Sequence, residues 1–385
     1  MDFSNPMTWK GLIFTVGVVL LFGGLTWWVY LSPIHESGNS FARPSPRTIN
    51  LITFSMGVSA ILMISGGLWD AIMHLKTGRV PGGSDFLWPP HLLLYSGFLL
   101  SMLVAIGSIW IIAVHGQRFG IHDPRAWIRD NPYLGAVALC ATFTMLSIPG
   151  DAIWHELMGT DLTAWSPPHV LLALSSSAIL ISTIGIFLQQ RFTRRTMAFH
   201  DLGIYFLLGL MLNILYMIAV LEWELPGERS LFVNSRPIWL YPSLAGIVSF
   251  FAIILATRLT QARFAATAVA AMFYLFRLLI TTGISLVEGV APMIPLPFFL
   301  GAFLIDLFHW EHIRTNWLRV LSMSLAYTIG YAVAVIPVLA DRRDLPSFSV
   351  LDVVLMLATI MIGAAIFVPL SRYTSRRLTG RQPVH

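Results

Sequence analysis

The chain has 385 residues, of which 56% are hydrophobic and only 11% charged, with a formal net charge of +5. That balance leaves too little polar surface to cover a water-soluble globule and places the chain among polytopic membrane proteins. The excess of cations requires no nucleic acid, because basic loops facing anionic lipid give the same sign, and a lone cysteine, Cys140, excludes a disulfide framework or a thiolate-cluster metal site.

Apolar runs long enough to cross a hydrocarbon core of about 30 Å recur along the whole chain. They fall at 10–31, 49–74, 88–114, 132–155, 167–189, 202–223, 237–258, 264–287, 295–310, 317–340 and 350–371. The expected fold is therefore an all-α polytopic bundle of about eleven transmembrane helices, in a single integral membrane domain over 1–385. The ninth run is short and flanked by proline, which marks it as re-entrant or tilted and would lower the count to ten. No long soluble segment interrupts the series, so any chemistry belongs to the bundle.

Lys and Arg concentrate in the segments that follow odd-numbered runs, for instance Arg118, Arg125 and Arg129, then Arg191, Arg194 and Arg195, then Arg372, Arg376, Arg377 and Arg381. The retention of basic residues on the cytoplasmic side then expects a cell (inner) membrane protein with its N-terminus outside and its C-terminus cytoplasmic.

Two stretches repeat one pattern. Residues 67–94 read "GLWDAIMHLKTGRVPGGSDFLWPPHLLL" and residues 148–172 read "IPGDAIWHELMGTDLTAWSPPHVLL". Asp70 and Asp151 lie 81 residues apart, as do His74 and His155, while His91 and His169 lie 78 apart. Each unit is a helix ending in D-A-I-x-H, a loop with an acid (Asp85 or Asp161), and a helix opening with P-P-H. A helix hairpin has thus been duplicated in one orientation, over 49–114 and 132–189, with additional transmembrane helices over 202–371.

Asp and His at i and i+4 share one helix face. Pro-Pro occupies the first turn of the next helix, where a missing N–H costs little, and so fixes the place of the following His. A short connection packs the two helices together and brings that His back towards the first pair. One carboxylate and two imidazoles then converge at the end of each hairpin, a donor set suited to copper, with iron and zinc as alternatives. Taken singly, an intramembrane Asp or His more often bonds a neighbouring helix, and Trp69, Trp88, Trp154 and Trp165 read as interfacial belt residues. Copying all three polar residues is costly unless something pairs with them. Lys76 and Arg79 with Gly82 and Gly83 in the first loop lead us to expect the weaker or more open site there.

The segment "DAIWHELMGTDLTAWSPPH" resembles the D-x3-H-x12-H copper motif in the C subunit of particulate methane and ammonia monooxygenases. Asp151, His155 and His169 match its three ligand positions and Asp161 the acid of its loop, with thirteen residues between the histidines here and sixteen in the copy formed by Asp70, His74 and His91. The likeness covers some fifty residues. It implies a copper site near the outer membrane face, and O₂ chemistry on a small apolar substrate reached from the lipid.

A third polar cluster, "FLIDLFHWEHIR", holds Asp306, His309, Glu311 and His312 and reads as interfacial at the opposite membrane face. Arg277 lies in mid-helix and needs an acid or a wet cavity, with Asp70, Asp151, Glu222 and Glu288 in the same outer half. Glu222 and Glu224 are open additions to that group. No dinucleotide fingerprint, Walker loop or nucleophile elbow occurs. The chain is therefore expected to be a copper-dependent oxidoreductase or a subunit of one, partnered by the bilayer and by other membrane subunits or copies of itself. The alternatives are a metal-handling transporter or chaperone, or a structural membrane subunit without catalysis.

Overall fold

The computed structural model describes residues 6–28, 32, 45–73, 88–117, 123–158, 164–190, 197–224, 236–260, 262–290, 295–307, 316–341 and 348–379, some helical side chains excepted. All regular structure among the described residues is helical: α1 Pro6–Thr26, α2 Pro46–Ala71, α3 Pro89–Gln117, α4 Pro124–Asp130, α5 Pro132–Met158, α6 Pro167–Phe187, α7 Met197–Glu224, α8 Leu240–Thr260, α9 Ala265–Glu288, α10 Phe299–Leu307, α11 Asn316–Asp341 and α12 Val350–Thr379. The first six open on proline, whose fixed φ and missing N–H suit the first helical position.

Nine of the described helices are long and apolar enough to cross a membrane, and α1, at 21 residues, has spanning length as well. Each lies on one of the expected apolar runs. Helix α4 has no counterpart among those runs. It is started by Asp123, whose carboxylate accepts both the Arg125 amide at 2.8 Å and the Arg125 guanidinium. The latter bond holds the Asp123 carboxyl below its ordinary range.

The chain divides into two compact units, Met1–Met63 with Leu93–Gln190, and Ile64–Leu92 with Arg191–His385. The boundary cuts through α2 and α3. In the first unit, the hydroxyls of Thr144 and Ser175 tie α5 to α6 at 2.9 Å, and α1 meets α5 where Phe14 sets its ring edge-on to Trp154. Helices α2 and α3 approach so closely that Ser59 donates to the Gly97 carbonyl at 2.7 Å, and a Cβ on Gly97 would lie 2.8 Å from the Ser59 carbonyl oxygen. Small residues at such crossings let backbones meet where lipid gives helices no hydrophobic reason to associate.

In the second unit, contacts between helix termini fix the path of the chain. Tyr205 near the start of α7 bonds Thr260 at the end of α8, and Arg258 in the last turn of α8 bonds Ser371 near the end of α12. At the opposite end, Tyr241 at the start of α8 donates to Glu222 at the end of α7. Trp69 near the end of α2 donates to Glu288 at the end of α9 at 2.7 Å.

The ninth apolar run crosses in two halves. Helix α10 is nine residues, about 14 Å, too short to span alone. Residues 295–298 before it are not helical. The Tyr274 hydroxyl, in the middle of α9, donates to the Leu296 carbonyl at 2.7 Å and accepts the Phe298 amide at 2.8 Å, while the Tyr216 hydroxyl of α7 accepts the Leu296 amide at 2.8 Å. Pro295 and Pro297 have no amide to satisfy. From the level of Tyr274 the chain descends as α10 until Asp306 accepts the amides of Ala266 and Thr267 at the start of α9. The run expected to be re-entrant or tilted thus extends from the end of α9 back to its beginning as a discontinuous span. Non-helical backbone survives at that depth because Leu296 and Phe298 are buried in protein.

Helix α10 then packs on α11 glycine to glycine, a Cβ on Gly330 meeting the Gly301 Cα at 2.8 Å. Replacing Gly330 by Val should destabilise the protein by about 1–3 kcal/mol through overpacking. Gly107→Val, where a Cβ meets nothing within 4 Å, should leave the thermal midpoint in detergent unchanged. Equal midpoints for the two variants would show that this crossing tolerates separation.

Candidate metal centre

The geometry of the repeated hairpin follows from its prolines. In the second copy Ser166 precedes α6 with extended backbone (φ −64°, ψ 151°), Pro167 and Pro168 fill the first turn, and His169 is the third helical residue. In the first copy Pro89 and Pro90 open α3 and His91 takes the same third place. Since side chains on a helix lean towards its N-terminus, both imidazoles are directed to the end where the preceding helix arrives.

The carboxylates meet them there. His91 Nε2 stands 3.0 Å from Asp70 Oδ1, and His169 Nε2 stands 3.4 Å from Asp151 Oδ1. The same two atoms converge in each copy, although the pairs belong to different compact units. Trp88 sets its ring edge-on to His91 at 5.5 Å and holds the imidazole plane. On α5, Pro149 interrupts the helical hydrogen bonding just before Asp151. The last turn of α2 widens to π geometry at Ile72 and Met73, immediately after Asp70. Both carboxylates therefore sit where their helix is irregular.

His155 lies on α5 one turn beyond Asp151, its side chain outside those described; His74, Asp85 and Asp161 lie outside the described residues. Among the described residues no three His, Cys, Asp or Glu side chains gather as a metal-holding group. Each hairpin thus presents two of its three expected donors. Two donors bound at about 2.0–2.1 Å to one ion stand about 2.9–3.4 Å from each other, by the geometry of tetrahedral or octahedral coordination. The observed separations fall in that interval. The pairs differ in openness: His91 and Asp70 are 18% and 26% exposed, His169 and Asp151 34% and 33%. The loop of the first copy, from which the weaker or more open site is expected, lies outside the described residues.

The remaining polar residues have other tasks. Asp306 gives both carboxylate oxygens to the amides at the start of α9, acting as a cap supplied from a distant segment and as a negative charge at the positive end of the helix. His309 and His312 lie outside the described residues. Arg277 is fully buried and pairs with Glu224, its guanidinium 5.7 Å from the Tyr216 ring. Of the acids expected near Arg277, Glu222 instead pairs with Arg236 and Tyr241, and Glu288 accepts from Trp69. Three tryptophans read as interfacial belt residues prove to have partners within the protein, Trp69 with Glu288, Trp88 with His91 and Trp154 with Phe14.

Sequence reasoning did not single out Tyr216 and Tyr274, which hold the discontinuous span. Pro292, Pro295 and Pro297 announced irregular backbone, and the need for buried hydroxyls beside it was the signal available.

Comparison with protein-family models, curated proteins and solved structures finds no match for this chain.

Removing Glu224 leaves the Arg277 charge buried without its carboxylate, so Glu224→Gln should destabilise the fold by about 3–5 kcal/mol. The double variant Arg277→Leu with Glu224→Leu should recover most of that loss, read as thermal midpoints in detergent. A double variant no better than the single would show that the pair does more than neutralise itself.

Proposed function

We propose that this integral membrane protein binds a transition metal, copper by the chemistry of its donors, at the duplicated Asp/His/His hairpins. The reading extends to an oxidoreductase of the membrane monooxygenase kind, or a subunit of one. The observation that carries it is the convergence of Asp Oδ1 and His Nε2 to 3.0 Å and 3.4 Å in two separate copies. Asp151, His155 and His169 would hold the ion in the second copy, and Asp70, His74 and His91 in the first. Imidazole with carboxylate suits copper over magnesium or calcium, which take oxygen-only sites.

A bound copper ion would supply one-electron redox chemistry and activation of O₂. The chain's own residues would do the rest: Asp orients the imidazole and offsets the ion's charge, and the Pro-Pro turn fixes the donors before the metal arrives. The apolar side chains of Ile153 beside Asp151 and Leu92 beside His91 are exposed, giving a small apolar substrate an approach through lipid. By the distribution of Lys and Arg, the metal end of the second unit faces away from the cytoplasm. Other membrane subunits or a second copy would supply the electrons.

A second reading, a metal-handling transporter, is favoured by the discontinuous span. Non-helical backbone at membrane depth accompanies substrate passage in many carriers. Copper(I) uptake into proteoliposomes, abolished by His91→Ala or His169→Ala, would select it over catalysis.

The purified, chelator-free protein should hold one or two equivalents of copper per chain. Nitrogen hyperfine structure in its electron paramagnetic resonance spectrum should identify imidazole ligands. His91→Ala and His169→Ala should each lower the metal content, and together abolish it. A metal-free protein that stays fully folded and retains no affinity for added copper would reduce each Asp–His pair to a tie between its two helices.

A further inference from the structure

The last turns of α2 are held on two sides. A Cβ on Gly67 would lie 3.1 Å from Met217 Cε, so α2 meets α7 closely there. Further along, the Trp69 indole donates to Glu288 Oε1 at the end of α9 at 2.7 Å. Leu68, Ala71, Ile72 and Met73 are buried. Asp70 follows Trp69 directly, and all of these residues belong with His91 to one compact unit.

Glu288 does not serve its own helix. It is the last residue of α9, where the helix dipole disfavours a negative charge, and Gly289 in the left-handed region (φ 66°) then turns the chain away. Its carboxylate serves α2, since a carboxylate accepting from an indole N–H makes a charge-assisted bond, stronger than one between neutral groups. Successive side chains leave a helix about 100° apart, so holding Trp69 against α9 also sets the direction in which Asp70 leaves α2. The hold falls where the helix is least able to set that direction by itself, because the hydrogen bonding beyond Asp70 widens to π geometry at Ile72 and Met73.

The second hairpin has no such hold. When the two copies are aligned on Asp70 and Asp151, Gly150 stands in the place of Trp69 and Pro149 in the place of Leu68. A Cβ on Gly150 would meet only a ring carbon of Phe14, at 3.5 Å. The residues after the carboxylate differ to match: Ala71 and Ile72 are buried, whereas Ala152 and Ile153 are exposed. We infer that Glu288 is a positioning residue of the first metal centre, acting through the Trp69 indole to set Asp70 against His91. The inference rests on the copper site proposed above.

The test uses the full chain purified in detergent, with copper(II) as the probe and affinity read by competition with a chelator. A His169→Ala background isolates the first hairpin, and a His91→Ala background isolates the second. Glu288→Leu and Trp69→Phe should each weaken copper at the first hairpin about ten-fold, change its electron paramagnetic resonance spectrum, and leave the second hairpin unaltered. The double variant should be no weaker than either single one, because both remove the same bond. Glu288→Gln, whose amide oxygen still accepts from the indole, should bind copper as the parent does. Copper held normally by the second hairpin reports each variant as folded, and should Glu288→Leu not fold, Trp69→Phe decides. A parent protein without copper at the first hairpin would overturn the metal site itself. Copper bound there but held equally by Trp69→Phe, lost alike from both hairpins, or not restored by Glu288→Gln would overturn the positioning role alone.

Discussion

Hydrocarbon holds no water to take up an unmet hydrogen bond, so each polar atom carried into the membrane needs a partner from the chain itself. Helices meet that demand for their own backbones, which is why the described regular structure is helical throughout. Where the chain leaves the helix at depth, the debt passes to side chains: two tyrosine hydroxyls satisfy Leu296 and Phe298, and two prolines remove amides that would otherwise need acceptors. The same demand disposes of the ionised groups. Arg277 takes Glu224, Glu222 takes Arg236, and Asp306 closes the open amides of α9.

Against that background the two Asp–His pairs stand out by repetition. A single pair is an ordinary way to tie adjacent helices. Two pairs, each with Asp near an irregular helix end and His in the third position after Pro-Pro, keep one local geometry in two different packing environments. That repetition is the observation on which the proposed metal site rests.

The parts of the fold carried by local pattern were legible in the sequence. Apolar length marked the spanning helices, Pro-Pro marked the starts of α3 and α6, and the P-P-H spacing placed His91 and His169 opposite Asp70 and Asp151. What depends on distant segments was not. Nothing in "VLEWELPG" distinguishes Glu224 from Glu222 as the partner of Arg277, because that choice is made by how α7 and α9 face each other. Trp69 looked like a belt residue because its indole is amphipathic, and its bond to Glu288 joins residues 219 positions apart. Asp306 read as one member of an interfacial polar cluster with His309 and His312, yet its oxygens serve the start of another helix.

The discontinuous span also bears on how the chain is made. An apolar helix can leave the translocation channel for lipid by itself, since its backbone is self-sufficient. The segment around Pro295 and Pro297 cannot, because among the described residues the amides of Leu296 and Phe298 are satisfied by Tyr216 and Tyr274 of other helices. Both tyrosines precede it in the sequence and leave the ribosome first. Chain order thus supplies the acceptors before the donors arrive, and the segment enters the membrane against protein already in place. The same sequence permuted so that 295–307 came before α7 and α9 would present its bare amides to lipid.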